Sequence, residues 1–150
     1  MNARYVHTNV IADDWRALAR FYESVFGCVP VPPERRYSGE ELEGGTAMPG
    51  NGLAGVHLRL PGFGNDGPTL EIFQYDALEQ RAAFAVNRPG FTHIAFVVED
   101  VPAARAEVLA AGGSKVGEVV VVERPDGLRV EGCYVRDPEG NMIELQATVG

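Results

Sequence analysis

The chain has 150 residues and a formal net charge of −8, with 13 Lys plus Arg against 21 Asp plus Glu. The length fits one domain, 1–150, and the hydrophobic content of 45% is ordinary for a globular protein. The acidic balance argues against nucleic acid or an anionic membrane as a partner, because both bind basic surfaces. No apolar run approaches the roughly 20 residues that span a bilayer, and the N-terminus lacks the pattern of a secretory signal. We therefore expect a cytoplasmic protein.

The first half begins with a strand and a helix. A strand-like run, "HTNV", starts at His7, and Asp14 is placed to cap a helix that Gly27 ends. The apolar residues of this helix fall on one stripe, which comprises Trp15, Leu18, Tyr22, Val25 and Phe26. Cys28 lies just beyond it and, like the distant Cys133, matches no metal or redox spacing, so both are predicted to be free thiols.

A Gly- and Pro-rich segment then precedes two predicted strands. Residues 37–52 are typical of a loop or lid, whereas 52–60 and 69–75 alternate as strands do. The segment contains an acidic cluster, Glu40, Glu41 and Glu43, which is either solvated or the source of an acid over a site. Both interpretations stay open.

The second half repeats this plan. His7 to Gly27 is twenty residues and His93 to Gly113 is again twenty, so an offset of 86 superposes strand, acidic cap, helix and glycine. Asp100 is the expected cap, and the predicted stripe comprises Val101, Ala104, Val108 and Leu109. Strands are predicted at 116–123, 130–137 and 141–147, with a "DPEG" turn between the last two. An internal repeat of two strand–helix–three-strand modules, about 1–80 and 90–150, follows.

Alternation splits each predicted strand into two faces. The aliphatic faces can pack on the helices, while the opposite faces mix aromatic residues with His and Glu. On these faces the modules place one histidine and one glutamate each, namely His7, Glu71, His93 and Glu144. Two imidazoles and two carboxylates make a site for one divalent ion such as Ni, Co, Zn, Mn or Fe. His57 shares the face but breaks the pairing, so we assign it to pocket lining or a structural hydrogen bond.

The runs "TLEIFQYD", "RPGFTHIAFVVEDV" and "DPEGNMIELQ", with the duplicated module, resemble the vicinal oxygen chelate superfamily over nearly the whole chain. This resemblance implies an α+β fold of tandem βαβββ modules that form a curved mixed sheet around a metal-binding cavity. Its ligand positions fall on the same four residues. Glu71 favours the glyoxalase I or methylmalonyl-CoA epimerase branch, since dioxygenase and fosfomycin branches have no carboxylate ligand there.

The resemblance implies a metal-dependent lyase or isomerase that works through a metal-stabilised enediolate. Glu144 is the first choice as the base, and Glu71 is its partner on the opposite face. Two alternatives stay open. One is an Fe or Mn dioxygenase or thiol transferase that uses His7, His93 and Glu144; the other is a non-enzymatic protein that binds a drug or metabolite.

The substrate is expected to be a small molecule, such as a thiol adduct or an acyl-CoA, and the resemblance implies a homodimer. Arg59 is a candidate for binding a substrate carboxylate or phosphate; the alternative is an exposed arginine on a strand. Three further arginines are candidates for binding a coenzyme A or glutathione tail, or serve only solubility, namely Arg35, Arg36 and Arg124. The other residues predicted to line the substrate pocket are Tyr5, Asn9, Phe73, Tyr75, Phe91 and Met142.

Overall fold

The computed structural model describes residues 1–82 and 85–150, which form two compact units, Met1–Arg81 and Ala82–Gly150. The elements of the first unit are β1 (His7–Ile11), α1 (Trp15–Phe26), β2 (Val29–Tyr37), α2 (Glu40–Thr46), β3 (Leu53–Arg59) and β4 (Thr69–Tyr75). Those of the second are β5 (His93–Val97), α3 (Val101–Ala110), β6 (Ser114–Lys115), β7 (Val120–Glu123), β8 (Arg129–Arg136) and β9 (Met142–Val149). Within the described ranges, no helix is long and apolar enough to cross a bilayer.

The two units share one topology. In the first sheet the strand order is β1-β4-β3-β2, and in the second it is β5-β9-β8, followed by the short strands β6 and β7. The first strand of each unit runs parallel to the last strand, and the remaining pairs are antiparallel. The α+β class with tandem strand–helix–strand modules is therefore confirmed, with one mixed sheet in each unit.

The predicted helix caps are confirmed. The Asp14 side chain accepts hydrogen bonds from the backbone N–H groups of Arg16 and Ala17, and the Asp100 side chain accepts one from Ala103. Gly27 follows α1 with φ 66°, the left-handed conformation that favours glycine. Because the free N–H groups of a helix start need acceptors, these side chains fix where both helices begin.

Each helix packs on the aliphatic face of its own sheet. Helix α1 buries Trp15, Leu18 and Tyr22 as predicted and lies on β3 and β4. Helix α3 buries Val101 and Val108 against β8 and β9, but Leu109 is exposed, so its place in the predicted apolar stripe is wrong. The strand residues that complete these two cores are Val56, Leu58, Leu70, Ile72, Cys133, Val135, Ile143 and Leu145. Both cysteines are buried free thiols, as predicted.

Two elements of the first unit differ from the prediction. Strand β2 was not recognised, because its sequence "VPVPPERRY" carries three prolines, which remove backbone donors. The strand accommodates them with a register shift between Val31 and Arg35 at the edge of the sheet. The predicted loop 37–52 contains α2, whose first turn holds the acidic cluster Glu40, Glu41 and Glu43. None of the α2 residues is buried, which fits a solvated cluster.

Candidate metal centre

The face of the first sheet opposite α1 carries two histidines and one glutamate. Register places His57 directly across from Glu71 on β3 and β4, and His7 across from Thr69 on β1 and β4. His57 Nε2 lies 2.9 Å from Glu71 Oε1, and His7 Nε2 lies 3.6 Å from Glu71 Oε2. One ligand atom from each of the three residues falls within 4.8 Å of the other two. The carboxylate thus presents one oxygen to each imidazole.

Neighbouring polar groups orient these side chains. The Asn9 amide donates a hydrogen bond of 2.8 Å to Glu71 Oε2, and the Thr69 hydroxyl lies 3.0 Å from His57 Nδ1. Partners of this kind fix the rotamer of a carboxylate and the ring orientation of a histidine. The Glu71 side chain is only 14% exposed, so its charge is poorly hydrated.

The environment of His57 favours the neutral imidazole. Burial is the largest cause and lowers the pKa of His57 below its ordinary value; the Glu71 carboxylate opposes it, and Arg35 acts in the same direction as burial. A neutral imidazole has a free ring nitrogen that can bind a metal. Sequence reasoning assigned His57 to a hydrogen bond or to pocket lining. The contacts of His57 with Glu71 and Thr69 agree with this assignment. Its position beside Glu71 follows from the β3–β4 register, which depends on the length of the β3–β4 connection.

The second unit contains the other predicted pair. His93 Nε2 lies 3.1 Å from Glu144 Oε2, and His93 Nδ1 lies 3.0 Å from the Thr92 hydroxyl. Tyr134 occupies the position opposite Glu144, and its ring stands edge-on to His93 at 5.3 Å between centroids. Desolvation, and then the Glu144 charge, raise the pKa of Tyr134, so its hydroxyl stays protonated. The second unit therefore places His, Glu and Tyr where the first places His, Glu and His.

The structure brings each predicted His–Glu pair together within its own unit. Binding of one shared ion by His7, Glu71, His93 and Glu144 stays a prediction. The donor set itself fits a borderline divalent metal, because imidazole nitrogens and carboxylate oxygens are the usual ligands of Zn, Fe, Co, Mn and Ni. A dication would also offset the cost of the poorly hydrated Glu71 charge.

The predicted substrate residues of the first unit lie around the triad His7, His57 and Glu71. Arg59 and Phe73 are each two residues along the strand from a member of the triad, and the buried Phe73 ring lies 5.9 Å from His57. Tyr75 continues the face at half-buried depth, while the exposed Tyr5 hydrogen-bonds the Thr8 hydroxyl. Asn9 contacts Glu71 itself. Their contact with a substrate stays a prediction.

In the second unit, Met142 is buried and paired with His93, while Phe91 is fully exposed just before β5. The three arginines considered for a coenzyme A or glutathione tail have local partners. Arg36 forms a two-point ion pair with Asp76 at 2.8 and 2.9 Å, and Arg124 pairs with Asp126 at 2.9 Å. Arg35 donates to backbone carbonyls of its own strand. These contacts are sufficient to explain the arginines structurally.

Comparisons with known proteins agree with this architecture. Residues 4–145 match the family model of the Glyoxalase/Bleomycin resistance protein/Dioxygenase superfamily. A comparison with curated proteins finds no match. Among solved structures, a glyoxalase family protein from Bacillus cereus is similar with a TM-score of 0.76 and 22% identity, covering 100% of this chain and 95% of that one. A virulence protein from Salmonella typhimurium has a TM-score of 0.56 and 23% identity, covering 99% of each chain. These structures support the fold alone.

Proposed function

Because the chain belongs to the Glyoxalase/Bleomycin resistance protein/Dioxygenase superfamily, we propose that it is a divalent-metal-dependent lyase or isomerase. The family membership confirms the resemblance found in the sequence, and metal-dependent enzymes are common in that superfamily. The proposed substrate is a small carbonyl compound of the glyoxalase I or acyl-CoA epimerase type, that is, a thiol adduct or an acyl-CoA. The protein is proposed to act as a homodimer.

The observation that carries the proposal is the matched His–Glu pair in each unit. The pair in the first unit links β1 to β4, with His7 3.6 Å from Glu71. The pair in the second unit links β5 to β9, with His93 3.1 Å from Glu144. All four side chains lie on the face opposite the packed helix. A structural role for one such pair would be unremarkable, but its repetition at the same place in both modules supports a shared chemical use.

The two glutamates are suited to different roles. Glu71 accepts a hydrogen bond from Asn9 and contacts two imidazoles, so it is fixed and suited to holding a metal. Glu144 contacts His93 and is 28% exposed, which leaves it more room to move and to meet a substrate. A bound divalent cation supplies Lewis acidity, which makes a C–H bond beside a carbonyl acidic. We therefore assign Glu144 as the proton carrier and Glu71 as a ligand that can act on the opposite face.

The test begins with elemental analysis of the purified full-length protein. We expect about one divalent ion per chain, and turnover of a methylglyoxal–thiol adduct or of methylmalonyl-CoA that a chelator abolishes and added metal restores. A protein that neither contains such an ion nor gains it on reconstitution contradicts the proposal. Tight binding of an apolar ligand that a chelator does not affect, without turnover, identifies a binding protein instead.

A dioxygenase is the second candidate, and the first unit supplies an observation in its favour. His7, His57 and Glu71 form a two-histidine, one-carboxylate set, which is the ligand type of non-haem Fe(II) oxygenases. Oxygen uptake with a catechol and Fe(II), absent with Zn²⁺, would support this candidate. Turnover of a thiol adduct under anaerobic conditions would exclude it as the main activity.

A further inference from the structure

Strand β7 forms an outer edge of the second sheet and is made mostly of valine. It pairs antiparallel with β8, and no other described strand of the second unit pairs with it. Residues 119–122 are four consecutive valines, and those within β7 are exposed, with Val120 at 52%, Val121 at 46% and Val122 at 57%. A strand that is covered on one face alternates apolar with polar residues, whereas a continuous valine run is typical of a strand that is covered on both faces. The sequence of β7 therefore fits a strand that another element covers.

The corresponding edge of the first unit is built differently. Strand β2 pairs with β3 as β7 pairs with β8, but its sequence "VPVPPERRY" carries three prolines and three charged residues. Prolines and charges on an edge strand hinder its pairing with another chain. Neither occurs within residues 119–122, so the edge of the second unit is left open to a further strand.

The backbone of β7 points alternately towards β8 and away from it. The Arg124 N–H group donates to the Leu128 carbonyl at 2.8 Å, where the hairpin closes. Because hydrogen-bonded and non-hydrogen-bonded pairs alternate in an antiparallel ladder, Val122 and Val120 also direct their backbone groups to β8. The N–H and C=O groups of Val121 therefore point outwards, and they present one donor and one acceptor to an added strand.

Antiparallel pairing of two copies about Val121 satisfies these groups and aligns the side chains. Val121 of each copy then bonds to Val121 of the other, and Val120 faces Val122 of the second copy. Three residues from the axis, Glu118 faces Arg124 of the second copy. Opposite charges that face each other across a strand pair stabilise it, and these two side chains are 73% and 55% exposed. The edge is thus complementary to itself in this register.

A shift of the pairing by one residue loses the match. With the axis at Val122, Glu118 would face Asp126 of the second copy, which is a like charge. With the axis at Val120, Glu118 would face a valine. The register about Val121 is therefore the one of these three that joins apolar to apolar side chains and opposite charges.

Both charged residues have partners within the chain, and these do not prevent the alignment. Glu118 lies 3.4 Å from Arg105 and 3.6 Å from Lys115, and Arg124 lies 2.9 Å from Asp126. Exposed ion pairs of this kind contribute little to stability, so the side chains are free to rearrange.

We propose that two copies of this chain associate through β7, in antiparallel register about a two-fold axis at Val121. The inference rests on the proposed homodimer and gives it an interface, but it does not depend on the reaction. Two short strands cover a smaller surface than the roughly 1,200 Å² at the lower end of stable complexes, so the dissociation constant should be on the order of 10 μM.

Sedimentation velocity of the full-length protein, from about 1 μM to about 1 mM, measures the association. V121K places two like charges opposite each other at the axis and should weaken the association about 100-fold or more. V29K is the matched control, because Val29 also lies on an edge strand and is 50% exposed against 46% for Val121. It should sediment as the wild type does. Circular dichroism checks that both variants fold, and a folded V121K that associates as tightly as the wild type overturns the proposal.

E118R and R124E test the register without changing a valine, so they also serve if V121K fails to fold. Each variant alone places like charges opposite each other at both ends of the strand pair and should weaken the association roughly tenfold. In an equimolar mixture, a mixed dimer has opposite charges at both ends, and the association should return to the wild-type level. The mixture carries the same total charge as two wild-type chains, so general repulsion does not account for a recovery. A mixture that associates as weakly as the single variants refutes the register.

The outcomes separate this interface from the proposed function. A dimer that neither V121K nor the charge variants weaken contradicts the β7 interface and leaves the homodimer standing. A wild type that sediments as a monomer throughout contradicts both and assigns the β7 edge to a strand of another protein. A protein that associates through β7 but turns over no substrate contradicts only the proposed reaction.

Discussion

His57 and Glu71 are paired directly across β3 and β4, and Tyr134 and Glu144 are paired in the same way across β8 and β9. The two modules therefore share a glutamate and differ in the residue that faces it. A histidine makes the first position a metal donor, whereas a protonated tyrosine makes the second a hydrogen-bond donor. This difference fits the proposed roles, in which Glu71 is a metal ligand and Glu144 is the proton carrier.

Replacing Glu144 with glutamine tests its role as the proton carrier. Glutamine keeps the size of the side chain but cannot accept a proton at neutral pH, so turnover should fall by about 10²-fold or more. The steady-state rate with a substrate that the wild type converts is the measurement. E123Q, which changes an exposed glutamate on β7, is the control and should keep full activity. Full activity of E144Q removes Glu144 from the mechanism.

The titration of Tyr134 should depend on Glu144. The negative carboxylate disfavours the phenolate and contributes to the raised pKa of Tyr134, although desolvation is the larger cause. In E144Q the pKa of Tyr134 should therefore fall towards its ordinary value and stay somewhat above it. The absorbance of tyrosinate as a function of pH measures this pKa, and subtracting the titration curve of Y134F isolates the contribution of Tyr134. A pKa that E144Q leaves unchanged would show that the two groups are not coupled.

The fold could be predicted because its signals are local. Asp14 and Asp100 mark the helix starts because their side chains accept hydrogen bonds from the next few residues. The alternation of residues along 69–75 determines which side chains lie on each face of β4. Strand β2 was missed because its prolines argue against a strand, and only pairing with β3 overrides them. Leu109 fits the helical period of the apolar stripe, but its side chain is exposed in the structure.

The site was predicted in part for the same reason. The His–Glu pairs follow from the repeat and from alternation, both of which are properties of the sequence. The predicted hydrogen bonding of His57 is observed with Thr69 and Glu71. His57 was not counted as a possible metal donor because it has no counterpart in the second half, so the repeat gave no reason to include it. Its contact with Glu71 arises from the β3–β4 register, which residues 60–68 determine. Pairing across strands, unlike alternation within a strand, is not encoded locally.

The cap of α1 provides a test of stability outside the site. Asp14 accepts hydrogen bonds of 3.1 and 3.0 Å from the N–H groups of Arg16 and Ala17, and D14A leaves both without that acceptor. The free energy of unfolding should fall by about 1 kcal/mol, the usual value for a lost cap. Denaturant titration followed by circular dichroism measures it. D14N retains an acceptor oxygen and should lose much less; an equal loss would point to the charge and not to the cap.

Substitution of Gly55 tests how closely β3, the strand that carries His57, packs against β4. Gly55 lies opposite Phe73, and a Cβ at this position would come within 2.0 Å of the Ile72 carbonyl oxygen and 2.1 Å of the Phe73 ring. Since the first obstacle is backbone, G55A should destabilise the fold by about 1–3 kcal/mol. The Phe73 ring, which stands edge-on to His57, must also move.

G45A is the matched control for that variant, because Gly45 lies in the exposed helix α2 with open space around its Cα. Alanine there should stabilise the helix by up to about 1 kcal/mol, since it restricts the unfolded chain. Denaturant midpoints of the two variants against the wild type are the measurement, and they should move in opposite directions. A displaced Phe73 should also disturb His57, so G55A is expected to weaken Zn²⁺ binding and G45A is not. Equal Zn²⁺ affinity in both variants would show that His57 keeps its position without the aromatic contact.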